Sequence, residues 1–254
     1  RFGVIQVDEN WRIVGFEEKP ENPKPIPGQP ETCLVSMGNY IFKTATLEEQ
    51  TTWACETEGT SFDFGKDIVP RLVDSGAEVY AYDFRQNQIR GEPVDAASYW
   101  QDVGTIDSYF HANMDIRSQL PALNLYNHYW RIRTAQRHYP PARFVHHGSS
   151  GPAHAEVVDS LICEGSIVSN AVLRRVLLGY DCFVHAESVT QDSLLLSGCN
   201  IGSGARLTNV LLDKNCNIEK NVVIGEDPEA DRERFPFVTK MGIVALPKGT
   251  LVPT

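Results

Sequence analysis

The sequence predicts an α/β layered unit followed by a parallel β-helix. Strand-like and helix-like segments interleave over the first hundred residues, a pattern that favours layers of sheet and helix. From residue 157 onward aliphatic residues recur every 17 residues, 16 in the first repeat, the mark of stacked coils that bury their apolar side chains only against one another. The length, 254 residues, suits one large domain or two smaller ones.

In chain order, residues 2–7 and 11–16 flank the turn cluster Asp8-Glu9-Asn10 and read as a hairpin. Pro20, Pro23, Pro25, Pro27 and Pro30, with Gly28, then mark an exposed loop, because proline removes ladder donors. Residues 34–42 return to strand character. Residues 45–55 and 65–75 have helical composition, the second closed by Gly76. Residues 78–84 alternate as a strand, and 94–103 offer another. Thr105 can cap a helix running to about Ser118. Pro121, Pro140, Pro141 and the run His146 to Pro152 read as linker. The expected domains are therefore 1–120, 121–156 as linker, and 157–254.

Breaking the sequence after Arg175, Asp192 and Asn209 aligns Ile162, Leu178, Leu195 and Leu212 in one register. Val168, Val184, Ile201 and Ile218 form a second. Leu173, Leu207 and Ile224 form a third, with Thr190 its imperfect member. An apolar residue every five or six positions makes a triangular coil of three short strands, with about four coils over 157–227. Cys182, Cys199 and Cys216 share the period and should stack as a ladder of small packed residues.

Lys plus Arg number 23 and Asp plus Glu 33, a formal charge of −10, which argues against a general nucleic-acid binder. No apolar run approaches the roughly 18 residues of a membrane span. Six cysteines in no metal-binding spacing read as a reduced, intracellular, cytoplasmic chain. The seven histidines lie mostly in the linker and show no ligand spacing. The chain opens on Arg1 and at once reads as a strand, as though it began inside a fold.

Five ordered motifs carry a resemblance: Phe2-Gly3; Phe16-Glu17-Glu18-Lys19-Pro20; Ser36-Met37-Gly38-Asn39-Tyr40; Asp63-Phe64-Gly65-Lys66-Asp67; and Tyr99-Trp100-Gln101-Asp102-Val103-Gly104-Thr105. With the coils that follow, the chain resembles the glucose-1-phosphate adenylyltransferase (ADP-glucose pyrophosphorylase) family of the bacterial type. The resemblance implies the C-terminal part of a Rossmann-like, mixed-sheet nucleotidyltransferase domain followed by a left-handed parallel β-helix. The family's Gly-rich loop and early metal-binding Asp have no counterpart here. The nucleotide-binding half is expected to be missing and the chain inactive alone. A lesser departure is Arg131, where bacterial members commonly have Pro.

The implied reaction is attack of a glucose 1-phosphate oxygen on the α-phosphorus of ATP, giving ADP-glucose for glycogen synthesis and pyrophosphate. The resemblance assigns the phosphate of the sugar to Lys19, its hydroxyls to Glu18, and further contacts to Ser36 and Gly3. In an extended segment Glu18 and Lys19 point to opposite faces, so both can serve one ligand only if the chain bends at Pro20. Asp102 is implied as a Mg2+ ligand, one carboxylate of a site that needs more. Trp100 reads as core. Asp63, Lys66 and Asp67 read as capping and pairing on their own helix. Lys214 and Lys248 fall where the family binds an anionic metabolite effector. Arg174, Arg175, Arg232, Arg234 and Lys240 read as solvated corners. Assembly into a homo-oligomer, a tetramer by resemblance, is implied, with no nucleic acid and no membrane as partner. The alternatives are another sugar-1-phosphate nucleotidyltransferase, a non-catalytic regulatory or scaffold subunit, and an acyltransferase using His185.

Overall fold

The computed structural model describes residues 2–26, 29–93, 98–135, 138–146 and 156–254. Arg1, Pro27, Gly28, positions 94–97 of the expected strand at 94–103, and most of the expected linker run from 147 lie outside them. The chain forms two compact units, Arg1–Gln86 and Asn87–Thr254.

In the first unit, β1 (Gly3–Val7) and β2 (Ile13–Glu18) form the expected hairpin, and β3 (Leu34–Val35) adds antiparallel to the other side of β1. Helix α1 spans Thr44–Glu56. A π-helical turn, Phe64–Ile68, runs into α2, Val69–Asp74. The turn is held by acids of its own sequence. Asp63 Oδ1 accepts from the amides of Gly65 (2.8 Å) and Lys66 (3.0 Å), and Asp67 Oδ2 accepts from those of Ser61 (2.9 Å) and Asp63 (3.0 Å). Val4, Ile13, Ala54, Ile68, Val69 and Leu72 are the buried apolar residues.

Two expected strands shrink. Of 34–42 only Leu34–Val35 pairs. Residues 78–84 form one bridge, Arg12 with Tyr80, flanked by Ile13 N to Val79 O and Ala81 N to Trp11 O, both 2.8 Å. Alternation there reflects one wet and one covered side without a ladder.

In the second unit, Thr105 caps α3 (Ile106–Ile116) as expected. Its hydroxyl accepts from the Ser108 amide at 3.1 Å, and Ser108 Oγ accepts from the Thr105 amide at 3.1 Å, a reciprocal cap. Phe110 and Met114 of α3 pack with Leu194, Leu211, Ile243 and Ala245, the outward-facing apolar row of one coil face.

The coils are three-sided and parallel, consistent with the left-handed β-helix. Every expected register is observed. Ile162, Leu178, Leu195, Leu212 and then Leu246 pair in succession on one face. Leu173, Thr190, Leu207 and Ile224 line the second. Val168, Val184, Ile201, Ile218 and Val252 line the third. The stack runs further than the repeat predicts. Arg143–Val145 pairs with Ile167–Ser169 at one end, and Val244–Leu246 and Leu251–Val252 add to the other. Helix α4 (Pro228–Arg234) interrupts the period, which hid this last coil.

The corners close in the left-handed region. Asp159, Arg175, Asp192 and Asn209 (φ 45°, 54°, 44°, 53°) form one such ladder, and Asn170, Glu187, Gly204 and Asn221 (48°, 65°, 71°, 59°) another. Asn, Asp and Gly tolerate this conformation most readily. Arg175 and Glu187 are the exceptions, Arg175 being tied to Asp192 one coil on by two bonds of 2.5 and 2.6 Å.

The three cysteines stack inside the coils as predicted. Each thiol donates to a backbone carbonyl about one coil away: Cys182 to Leu196 O (3.4 Å), Cys199 to Asp213 O (3.2 Å), Cys216 to Pro247 O (3.2 Å). Hydrogen bonding to Cys182, then to Cys216, and then burial hold the Cys199 thiol well above the ordinary range, so it stays protonated and inert. Thr190 is fully buried and its hydroxyl finds no partner among the described residues.

Candidate functional site

The sheet of the first unit sets Glu18, Gly3 and Ser36 in one row. Gly3 is in register with Glu18, and the Ser36 amide donates to the Gly3 carbonyl at 2.8 Å. Residues directly opposite one another share a face.

Lys19 ends β2 with φ at 52°, a left-handed turn taken by a non-glycine residue. This is the bend the motif required, and it falls on Lys19 itself, one residue before Pro20. The Lys19 ammonium folds back to 2.9 Å from Glu18 Oε1. Hydrogen bonding and charge from Glu18, with a smaller push from Asp63, raise the Lys19 pKa above its usual value. The group is therefore a fixed cation. Such backbone strain gathers at ligand sites.

Ser36 is also oriented. Its Oγ lies 3.1 Å from the Tyr40 hydroxyl and accepts from the Gly38 amide at 3.2 Å. The Tyr40 ring stacks on Phe64 with centroids 5.8 Å apart, and Phe42 lies against Phe64 at 5.6 Å. Gly3 is tight. A Cβ there would fall 2.5 Å from Phe16 Cζ and 3.0 Å from Glu18 Oε2. The structure thus brings together Gly3, Glu18, Lys19 and Ser36. Sequence reasoning did not single out Tyr40, Phe64 or Gly65 individually, although all three sit inside quoted motifs. A cation, a carboxylate and a hydroxyl on one side of a sheet can hold a phosphate together with sugar hydroxyls.

Asp102 lies in the second unit. The expected strand ending on it is absent over 99–103. Asp102 instead accepts from the Gly104 amide through Oδ1 at 3.0 Å, a local turn just before α3. Among the described residues no three His, Cys, Asp or Glu side chains gather as a metal site. One carboxylate does not fit a divalent ion by itself, and no chemical step below is routed through a metal.

Lys214 and Lys248 come together. Leu212 pairs with Leu246, so the two lysines follow on the same corner of adjacent coils, and the Gly249 amide donates to the Lys214 carbonyl at 2.9 Å. Both are exposed, and neither forms an ion pair among the described residues. Arg174, Arg175, Arg206, Arg232 and Arg234, by contrast, are paired with Glu156, Asp192, Glu226, Glu229 and Asp231. His185 is engaged in the coil wall, its Nε2 2.9 Å from Asn200 Oδ1 and its ring against Phe183.

Residues 1–119 match the nucleotidyl transferase family, and residues 140–246 match the GlmU-like, C-terminal hexapeptide family. The two matches follow one another along the chain, each over somewhat less than half of it. More closely, the chain is similar along nearly its whole length to relatives named glucose-1-phosphate adenylyltransferase. It is 44% identical over 249 residues to that of Thermus thermophilus, covering 98% of this chain and 59% of the relative. It is 41% identical over 251 residues to that of Aliivibrio fischeri, covering 99% and 60%. With that of Deinococcus radiodurans it shares 39% over 249 residues, covering 98% and 60%. The chain thus spans about 60% of the length of the curated relatives it matches. No helix of the described residues is long and apolar enough to cross a membrane.

Proposed function

We propose that this chain holds the sugar phosphate and carries the regulatory coil in an enzyme that joins ATP and α-D-glucose 1-phosphate into ADP-glucose and pyrophosphate. The observation that carries this reading is the row Glu18, Gly3, Ser36 with the Lys19 ammonium folded back onto it. The names of the relatives support the same substrate pair.

In this reading a phosphate oxygen of glucose 1-phosphate attacks the α-phosphorus of ATP and pyrophosphate departs. Alignment and charge neutralisation dominate such chemistry. Lys19 leaves Glu18 partly free as it turns its charge to the sugar phosphate. Glu18 accepts from glucose hydroxyls. Ser36, held by Tyr40, adds a hydroxyl contact. Gly3 lets the backbone come close. Asp102 is proposed as one carboxylate of a Mg2+ site that it cannot complete by itself.

Lys19 meets a phosphate whose charge changes little between ground and transition state, so its contribution is uniform binding. Lys19→Ala is expected to weaken glucose 1-phosphate binding about 10- to 150-fold, the range of a charge-assisted hydrogen bond. Calorimetric titration reads this, with the melting midpoint unchanged because an exposed pair contributes little to stability. Affinity within twofold of the parent would remove Lys19 from the site.

Lys214 and Lys248 together are proposed to bind an anionic effector, and self-association to a tetramer is proposed for the intact assembly. In the Lys214→Ala/Lys248→Ala double variant, binding of a sugar bisphosphate should weaken at least about tenfold, each lost charge-assisted contact being worth a factor of that order. Unchanged binding would return both lysines to the role of solvated corners. Sedimentation of the parent as a monomer at all concentrations would overturn the tetramer.

A further inference from the structure

Glu18 divides its two carboxylate oxygens. Oε1 faces the Lys19 ammonium at 2.9 Å. Oε2 lies in a notch between two glycines from different elements, Gly3 on β1 and Gly65 in the π-helical turn. An ideal Cβ on Gly3 would be 3.0 Å from it and one on Gly65 3.2 Å. The Gly3 side is already closed by the Phe16 ring, 2.5 Å from that same Cβ position. Only the Gly65 side is kept clear for a reason the backbone does not supply.

That reason can be isolated. Gly65 is buried and sits in a helical turn with no left-handed φ. Alanine would suit the backbone better there, since glycine in a helix costs entropy. Its amide bond to Asp63 Oδ1, 2.8 Å, would survive in any residue but proline. The neighbours of an added methyl would be Glu18 Oε2 at 3.2 Å, Asp63 Oδ1 at 3.3 Å and Phe16 Cζ at 3.7 Å. Asp63 Oδ1 is held by two amides, whereas Glu18 Oε2 is the far end of a flexible side chain that can yield by a few tenths of an ångström. An alanine therefore folds, and what it displaces is the Glu18 carboxylate and the space beside Oε2.

We propose that Gly65 is a specificity-determining residue of the sugar-phosphate site, keeping open the space through which a glucose hydroxyl reaches Glu18 Oε2. The inference rests on the assignment of Glu18 and Lys19 to glucose 1-phosphate. The glycine acts on the sugar end of the ligand alone, because Lys19 holds the phosphate through the other side of Glu18.

The test is titration of parent and Gly65→Ala protein with glucose 1-phosphate and with inorganic phosphate, followed by NMR chemical shifts, alongside melting curves. The expected result is a melting midpoint equal to or above that of the parent and unchanged phosphate affinity. Glucose 1-phosphate affinity should fall about 10- to 200-fold, as one misplaced methyl does in a fitted site. Parent protein that fails to bind glucose 1-phosphate would overturn the site assignment, and the role of Gly65 with it. Parent and variant with equal glucose 1-phosphate affinity would overturn the role of Gly65 and leave the assignment standing. A lowered midpoint with both ligands lost in proportion would make Gly65 a folding residue. Gly65→Ser, with the same added Cβ, should reproduce the alanine result, and parental sugar affinity in it would also overturn the proposal.

Discussion

Leu195→Asp is expected to lower stability by at least about 5 kcal/mol and to abolish a cooperative melt of the coil stack. Truncating a buried leucine alone costs about 2–5 kcal/mol. Leu195 has no solvent exposure and pairs with Leu178 on one side and Leu212 on the other, all three fully buried. An aspartate there replaces a rung of the core with a group that finds no donor among aliphatic neighbours. Burial would raise its pKa, so the acid would be tolerated best in its neutral form. The deficit should thus be smallest below about pH 4, where the unfolded chain is protonated too, and grow as pH rises. Circular dichroism melts across pH read both effects. A parental midpoint at neutral pH would mean that Leu195 does not face the interior.

Gly225→Ala should cost about 3–5 kcal/mol, the range reserved for substitutions that combine overpacking with backbone strain. Gly225 has φ of 85°, and a Cβ on it would fall 1.7 Å from the Thr208 carbonyl oxygen. Backbone of the preceding coil cannot step aside as a side chain can. The same residue anchors α4, its amide donating to Asp231 Oδ2 at 2.7 Å with that carboxylate almost fully buried. Urea unfolding of the variant measures the loss. A shift below 1 kcal/mol would show that the coil corner relaxes freely, contrary to the packing described.

The coil stack was legible because its information is repeated. A period of 17, seen in three lines of sequence after a first line of 16, fixes which residues face inward, and one misfit such as Thr190 does not blur it. The final coil escaped notice because α4 intervenes, although Leu246 falls 34 residues after Leu212, two full periods. The α3 cap was legible because Thr105 and Ser108 are local partners. In the candidate site, Gly3, Glu18, Lys19 and Ser36 were legible as motif members. Their meeting was not, since it depends on strand register and on a left-handed turn at a lysine that no propensity predicts. Gly65 was opaque for a like reason. Its neighbour Glu18 is 47 positions away, and a helical glycine looks the same whether it serves a backbone or a space. Residues 78–84 misled because alternation records only which side is wet, and a strand also needs a neighbour along its length.

The nearly constant coil length has a consequence for insertions and deletions. Each face is a column with one residue per coil, so removing 17 residues, such as 193–209, would join Asp192 to Val210 and leave every remaining column aligned. Removing 16 or 18 would leave a one-residue mismatch at the join, which a corner would have to absorb to keep the downstream columns aligned. Whole coils are therefore the easiest change in length, although a corner can give up one residue, as the 16-residue step from Ile162 to Leu178 shows, and the excursion around α4 absorbs a whole coil of chain without altering the columns. A one-coil deletion would still not be silent. It would take one rung from the outer row on which Phe110 and Met114 rest, bringing Leu211 into the place of Leu194 and shortening the surface that holds α3.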